Sequence, residues 1–201
     1  MRACSTQVAK LVETLNGKGM KAEAMRFPAR DTAIGKIIDS YLKNAQDLSD
    51  HAVHLLFSAN RWELNSTIRD KLMQGTTLVV DRYAYSGACF THAKGIDLDW
   101  CKAPDAGLPQ PDLVLFLDLD IEKSKKRGAF GSERYEKEEF QKKVRRCFLE
   151  WADRDPCFTV IDADASIEAV TDALMKQVLP TLDKVKNEPV GDLYSNEKKP
   201  Q

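Results

Sequence analysis

The sequence predicts an α/β fold: a doubly wound parallel sheet flanked by helices. Three observations carry that reading. Four short runs, β-branched or leucine-rich, have the length of buried strands: KAEAMRFP (21–28), TTLVVDR (76–82), LVLFLDL (113–119) and FTVIDA (158–163). Stretches of helical periodicity separate them, and strands alternating with helices make a parallel sheet covered on both faces. No internal repeat and no interdomain linker interrupts the 201 residues, a length that suits one domain.

The first element is a helix, because Val8, Leu11, Val12 and Leu15 recur on one face; Ser5 or Thr6 supplies its cap and NGKG (16–19) ends it. Strand 21–28 stops at Pro28. A long helix is expected from about Ser49 to Gln74, followed by 76–82, the most strand-like run of the chain. After strand 113–119, the segment KSKKRGAFGSERYEKEE combines charges with two glycines, a composition for a mobile surface loop able to close over a polyphosphate. A helix from about Glu136 to Asp153 turns Phe140, Val144, Phe148 and Trp151 inward, and Ile167, Val170, Leu174 and Val178 mark the last helix. Periodicity then fades, so the domain is expected over 1–194 and a flexible tail over 195–201.

Composition excludes several classes of function. Hydrophobic residues make up 43% and charged residues 30%, and Lys+Arg 30 against Asp+Glu 31 leaves a net charge of −1. No general field favours nucleic acid or an anionic membrane, and the basic clusters KSKKR and KKVRR are weak grounds for either. The five cysteines are scattered, with no C-x-x-C pair and no histidine at zinc-ligand spacing. With no membrane-length apolar run and no targeting segment at the N-terminus, the expected location is cytoplasmic or also nuclear.

Ligands of a doubly wound sheet sit beyond the carboxyl ends of its strands, so the residues just past each strand are the candidates for a site. VVDRYAYSG places Asp81, a carboxylate suited to ordering metal-bound water, beside Arg82, a guanidinium suited to gripping phosphate. RFPAR sets Arg30 just past the first visible strand. In LLFSANRWE, Phe57 and Arg61 share one helical face, a flat ring beside a planar donor, as a nucleobase would require. Each has a plainer reading as well: a strand-ending ion pair, a surface arginine, and a core phenylalanine beside a snorkelling arginine. His51, His54 and His92 suggest no triad and are assigned to surface or core packing.

Taken in order, RFPAR, LLFSANRWE, VVDRYAYSG, PDLVLFLDL and RGAFGSERYE resemble thymidylate kinase of the eukaryotic type, and the likeness runs from Arg2 to about Tyr194. The resemblance implies a P-loop kinase fold with a lid, transferring the γ-phosphoryl group of ATP to dTMP with Mg2+ as cofactor to give dTDP for dTTP synthesis. It implies that Phe57 stacks on thymine, that Arg61 donates to a base carbonyl oxygen, and that Arg30 and Arg82 hold the monophosphate. Phe27, Gly87, Phe90 and Tyr135 would shape the pocket around sugar and base. Ser5 and Thr6 would meet the phosphates of ATP, Ser5 and Asp81 would order the Mg2+, and Arg127 in the lid would lie near adenine. Arg2, with Asp81 and Arg82, would serve the transferring group. The resemblance also implies a homodimer. Positioning and neutralisation of spreading negative charge are what phosphoryl transfer chiefly demands, and converging arginines supply both.

The N-terminus departs from the family pattern, in which an apolar strand precedes a loop ending like D-R-[AS]-G-K-S-T-Q. Here RACSTQ puts Cys4 where Gly-Lys stands and Met1 where the aspartate stands. A sheet lacking its first, central strand is therefore expected, with a gap between TTLVVDR and LVLFLDL, and ATP binding should fall further than dTMP binding. A truncated, catalytically impaired relic or isoform that binds thymidine nucleotides is the alternative; another nucleoside monophosphate kinase is the nearest enzymatic one.

Overall fold

Leu11 and Leu15 are buried on the inner face of helix α1 (Arg2–Gly17), and that apolar stripe seats the helix on the sheet. The computed structural model describes residues 2–120, 123, 134, 135 and 137–195. After α1 come β1 (Ala22–Arg26), α2 (Ala33–Leu42), α3 (Asp50–Glu63), α4 (Asn65–Met73), β2 (Thr77–Asp81) and α5 (Ala84–His92). A short α6 (Leu98–Lys102) runs into a 3-10 turn (Ala103–Asp105), then β3 (Val114–Asp118), α7 (Glu138–Ala152), β4 (Phe158–Asp162) and α8 (Ile167–Val185). All four expected strands are present, each trimmed by one to three residues.

Both strand pairings are parallel. β1 lies on β2 in the register Ala22↔Thr77 to Arg26↔Asp81, and β3 on β4 from Val114↔Phe158 to Asp118↔Asp162. Among the described residues no ladder joins β2 to β3, so the strands form two separate pairs with the expected gap between them. Residues 77–80 and all of β3 are only half-buried, unlike strands covered on both sides. Side chains hold the halves together instead: Val79 from one and Leu115, Leu117 and Ile161 from the other join Leu11, Leu15, Val170 and Leu174 in one cluster. Each fully buried aliphatic side chain contributes roughly 1.5–3 kcal/mol, so α1 and α8 act as the clamps across the gap.

Three expectations need correction. The helix expected over 49–74 breaks at Leu64, whose φ of −103° and ψ of 5° end α3 and redirect α4, so that Ile68 is buried with α4 against β2. Ser5 and Thr6 lie within α1 rather than capping it, and the Ser5 hydroxyl is spent on Asp81. Ile167 begins α8 but is 47% exposed; the buried stripe starts at Val170, and the cap is Ser166, whose Oγ accepts from the Ala169 N–H at 3.2 Å. The tail, from 196 on, lies outside the described residues, as do 124–133 and 136 of the expected lid segment.

Candidate functional site

The parallel register brings Arg26 and Asp81 level at the carboxyl ends of β1 and β2. Asp81 is buried; the Ser5 hydroxyl donates to its Oδ2 at 2.7 Å, and Arg26 Nε stands 3.6 Å from the same oxygen. Beyond the ladder, the Phe27 N–H donates to the Asp81 carbonyl at 3.0 Å, tying the start of RFPAR to the end of VVDR. Arg82 then takes a left-handed backbone conformation, φ 68°, which costs a side-chain-bearing residue roughly 1–2 kcal/mol. Strain of this kind persists where the surroundings over-determine it, typically at a working site. The guanidinium of Arg82 lies over the Phe90 ring, 5.0 Å from its centroid.

The loop after β1 is held from α3. Asn60, fully buried, accepts from the Ala29 N–H at 2.8 Å and donates to the Ala29 carbonyl at 3.2 Å. Gly35 allows α2 to crowd the same turn, since a Cβ there would fall 1.8 Å from the Ala29 carbonyl oxygen. Phe27 is buried and its peptide bond to Pro28 is cis. Arg30 donates through Nη1 to Asp39 Oδ1 at 2.7 Å, while Lys43 takes the other oxygen at 2.6 Å. Hydrogen bonds from Lys43 and then Arg30 hold the Asp39 carboxyl below the usual carboxylate range. Arg30 therefore has an anion beside it already, and a phosphate must compete with Asp39 for it.

Helix α3 carries the densest group. Arg61 is 2% exposed, so it does not snorkel. Its Nε donates to Asp105 Oδ1 at 3.0 Å and its Nη2 to Oδ2 at 2.6 Å, a forked, charge-assisted pair, with Ser58 Oγ donating to Oδ1 at 2.7 Å. Gly87 on α5 faces this guanidinium so closely that a Cβ would stand 3.0 Å from Nη2 and 3.1 Å from Nη1. Phe57, one turn earlier, is half-buried and packs in the cluster of Ile38, Tyr41, Leu42 and Val53, which Tyr135 also joins.

Tyr135 closes the group from the far end of the lid segment. Lys94 Nζ donates to its hydroxyl at 2.9 Å, the hydroxyl donates to Tyr41 at 3.2 Å, and the ring lies 5.7 Å from that of Phe90. Burial, reinforced by the Tyr41 hydrogen bond, pushes the Tyr135 phenol up, so it stays neutral. Arg134 anchors the same stretch on the end of α2, donating to Asp47 at 2.6 Å and to the Tyr41 carbonyl at 3.2 Å.

The structure thus joins Arg61 to Gly87, Phe90 to Arg82 and Tyr135, Phe57 to the Tyr135 cluster, and Ser5 to Asp81. Thr6 follows Ser5 in α1 and is half-buried. The Arg2 side chain and Arg127 lie outside the described residues. A cavity of about 410 Å3 beside the loop is lined by Arg26, Arg30 and Asp31 with Met25, Pro28, Ala29 and Leu64. It shares only Arg30 with the predicted constellation. Sequence reasoning missed Asp105, Ser58, Asn60, Arg26, Lys94 and Arg134. Ser58 and Asn60 were visible as small polar residues inside LLFSANRWE, whereas Asp105 ends a 3-10 turn with no signal of its own. Among the described residues no cluster of three or more His, Cys, Asp or Glu is suited to a metal. The Ser5 hydroxyl and Asp81 carboxylate are nonetheless adjacent hard oxygen donors, the kind a Mg2+ that keeps most of its waters takes from protein.

Comparison with known proteins gives these positions a context. The thymidylate kinase family profile matches residues 5–174. The thymidylate kinase of Homo sapiens is 52% identical over 192 residues, covering 94% of this chain and 91% of the relative. That of Arabidopsis thaliana is 47% identical over 193 residues, covering 96% and 73%. The solved structure of thymidylate kinase from Candida albicans superposes with a TM-score of 0.85 at 40% identity, over 94% of this chain and 92% of that one.

Proposed function

The chain belongs to the thymidylate kinase family, and on that premise we propose how its residues divide the work of phosphorylating dTMP with ATP. The observation that carries the proposal is the convergence on α3 of a half-buried ring, Phe57, with a buried, clamped arginine, Arg61, whose guanidinium fits against Gly87 only because that residue lacks a side chain. Phe57 stacks on thymine and Arg61 donates to a base carbonyl oxygen. Phe27, Gly87, Phe90 and Tyr135 enclose sugar and base, with Tyr135 fixed by Lys94 and Tyr41. Arg82, turned by its left-handed backbone, and Arg30, exchanging Asp39 for phosphate, grip the monophosphate and hold it in line for attack.

On the ATP side, Ser5 and Thr6 meet the phosphates, Arg127 lies by adenine, and Arg2 approaches the transferring group. Ser5 and Asp81 would hold Mg2+, which would supply positive charge against that of the ATP phosphates. Arg26, beside Asp81, keeps that carboxylate oriented. The kinase domain spans 1–194. Leu55 and Trp62, two turns apart on one side of α3, are large exposed apolar side chains, and they support a homodimer formed through that side of the helix. The five cysteines are free, which suits an enzyme of a reducing compartment, cytoplasmic or nuclear, acting on dTMP and ATP; among the described residues no helix is long and apolar enough to cross a membrane. Nothing in the relatives favours the non-catalytic alternative. The test is ADP release with Mg-ATP and each of dTMP, dUMP, UMP and CMP: dTMP must be the preferred acceptor, and a protein that melts cooperatively yet turns over none of them contradicts the proposal.

A further inference from the structure

Asp105 lies outside every motif that the sequence marks, yet it is fully buried and its carboxylate is shared among groups of α3. Oδ1 accepts from Arg61 Nε at 3.0 Å and from Ser58 Oγ at 2.7 Å, and Oδ2 accepts from Arg61 Nη2 at 2.6 Å. A guanidinium has five N–H donors. Nε and one N–H of Nη2 are committed to Asp105, leaving the Nη1 pair and the second N–H of Nη2. Nη1 and Nη2 are also the atoms that approach Gly87 most closely. The donors that remain lie on the edge away from the carboxylate.

We propose that Asp105 is a positioning residue for base recognition: it clamps Arg61 so that only this donor edge meets the nucleobase, and it thereby sets the preference for pyrimidines carrying an oxygen rather than an amino group at position 4. The inference rests on the proposed contact between Arg61 and the base. A forked pair fixes the plane and rotation of the guanidinium, and a fixed row of donors cannot adapt to an exocyclic amine, which is itself a donor. An arginine released from Asp105 swings, admits water and loses that discrimination. Ser58 contributes by holding Oδ1 from the same helix.

The experiment is steady-state kinetics with dTMP and dCMP as acceptors, alongside thermal melts, for wild type, Ser58→Ala, Asp105→Asn, Arg61→Gln and the double variant R61Q/D105N. Asp105→Asn is expected to raise KM for dTMP about 10-fold with kcat changed less than about 3-fold, and to cut the dTMP:dCMP ratio of kcat/KM by about 10-fold. In the R61Q background the same substitution should add almost nothing, because Asp105 acts through Arg61. An Asp105→Asn protein with wild-type KM and ratio overturns the proposal, as does an effect undiminished in the R61Q background. If Asp105→Asn does not fold, Ser58→Ala decides, since it removes one hydrogen bond to the carboxylate and strands no charge: an unchanged KM and ratio overturns the proposal. A wild-type KM in Arg61→Gln overturns the reading of Arg61 itself, a separate failure.

Discussion

Gly87→Ala puts one methyl group against the clamped Arg61 guanidinium, and its two effects have opposite signs. Within α5 alanine is favoured over glycine by roughly 0.8–1 kcal/mol. Against that gain, the new Cβ stands 3.0 Å from Arg61 Nη2, 3.1 Å from Nη1 and 3.3 Å from Cζ, each a few tenths of an ångström inside ordinary contact. Arg61 has little freedom to retreat, because its Nε and Nη2 are bound to a carboxylate that Ser58 also holds. Relief must come from lengthening the Arg61–Asp105 bonds or displacing α5, at about 1–3 kcal/mol. Net stability should then move by about 0–2 kcal/mol downward, or roughly 0–8 °C in melting temperature for a chain of this size. Binding suffers as well, since the guanidinium that meets the base shifts: about 1–2 kcal/mol, a 5- to 30-fold rise in KM for dTMP. The assay is coupled ADP release at saturating Mg-ATP, with KM for ATP as the internal control. A Gly87→Ala enzyme with wild-type KM for dTMP would refute the reasoning.

The same geometry sets three other expectations. Arg82→Gly relieves the left-handed backbone strain, so the melting temperature should hold or rise while kcat/KM for dTMP falls about 100-fold; a parallel loss of both would show that the strain is not where the structure places it. Asn60→Ala breaks the two bonds that hold Ala29, together with those to Thr32 and Glu63, and should cost about 2–3 kcal/mol in denaturant titration and raise KM for dTMP. His54 is buried, with Nε2 donating to the Cys101 carbonyl at 2.8 Å and Nδ1 accepting from the Thr91 hydroxyl at 2.8 Å, and burial pulls its pKa down. A depressed folded value means that the unfolded chain binds the proton first. The His54 contribution is therefore complete above the unfolded value of about 6.5 and is lost as pH falls from there toward the folded value. Melting temperature should drop between pH 7.5 and 5, and the drop should flatten in His54→Gln.

The strand-length apolar runs were legible in the chain, and so was the position of Arg30, Asp81 and Arg82 at or past their carboxyl ends, the edge where a parallel sheet offers candidate ligand groups. Phe57 and Arg61 were legible as a helical pair. Their partners were not: Asp105 comes from a 3-10 turn far along the chain, and only the packing of α3 on that turn reveals why Arg61 is buried rather than snorkelling. Asp39 shows the same limit, since nothing in RFPAR announces that Arg30 is already paired. The break at Leu64 escaped because the periodicity of α3 and α4 gives one continuous signal, whereas tertiary contact with β2 decides where the helix turns. The gap between β2 and β3 was expected only through the family resemblance, which implies a strand at that place in the sheet.

On the proposed reading, Phe57 and the clamped Arg61 together bind the base of dTMP. Isothermal titration of dTMP into the folded protein, without ATP, tests it without relying on turnover. Saturable one-site binding is expected, weakened about 100-fold in Phe57→Ala, where base stacking is lost, and similarly in Arg61→Gln. Equal affinities in wild type and both variants, or no heat of binding to a cooperatively folded wild type, would contradict it.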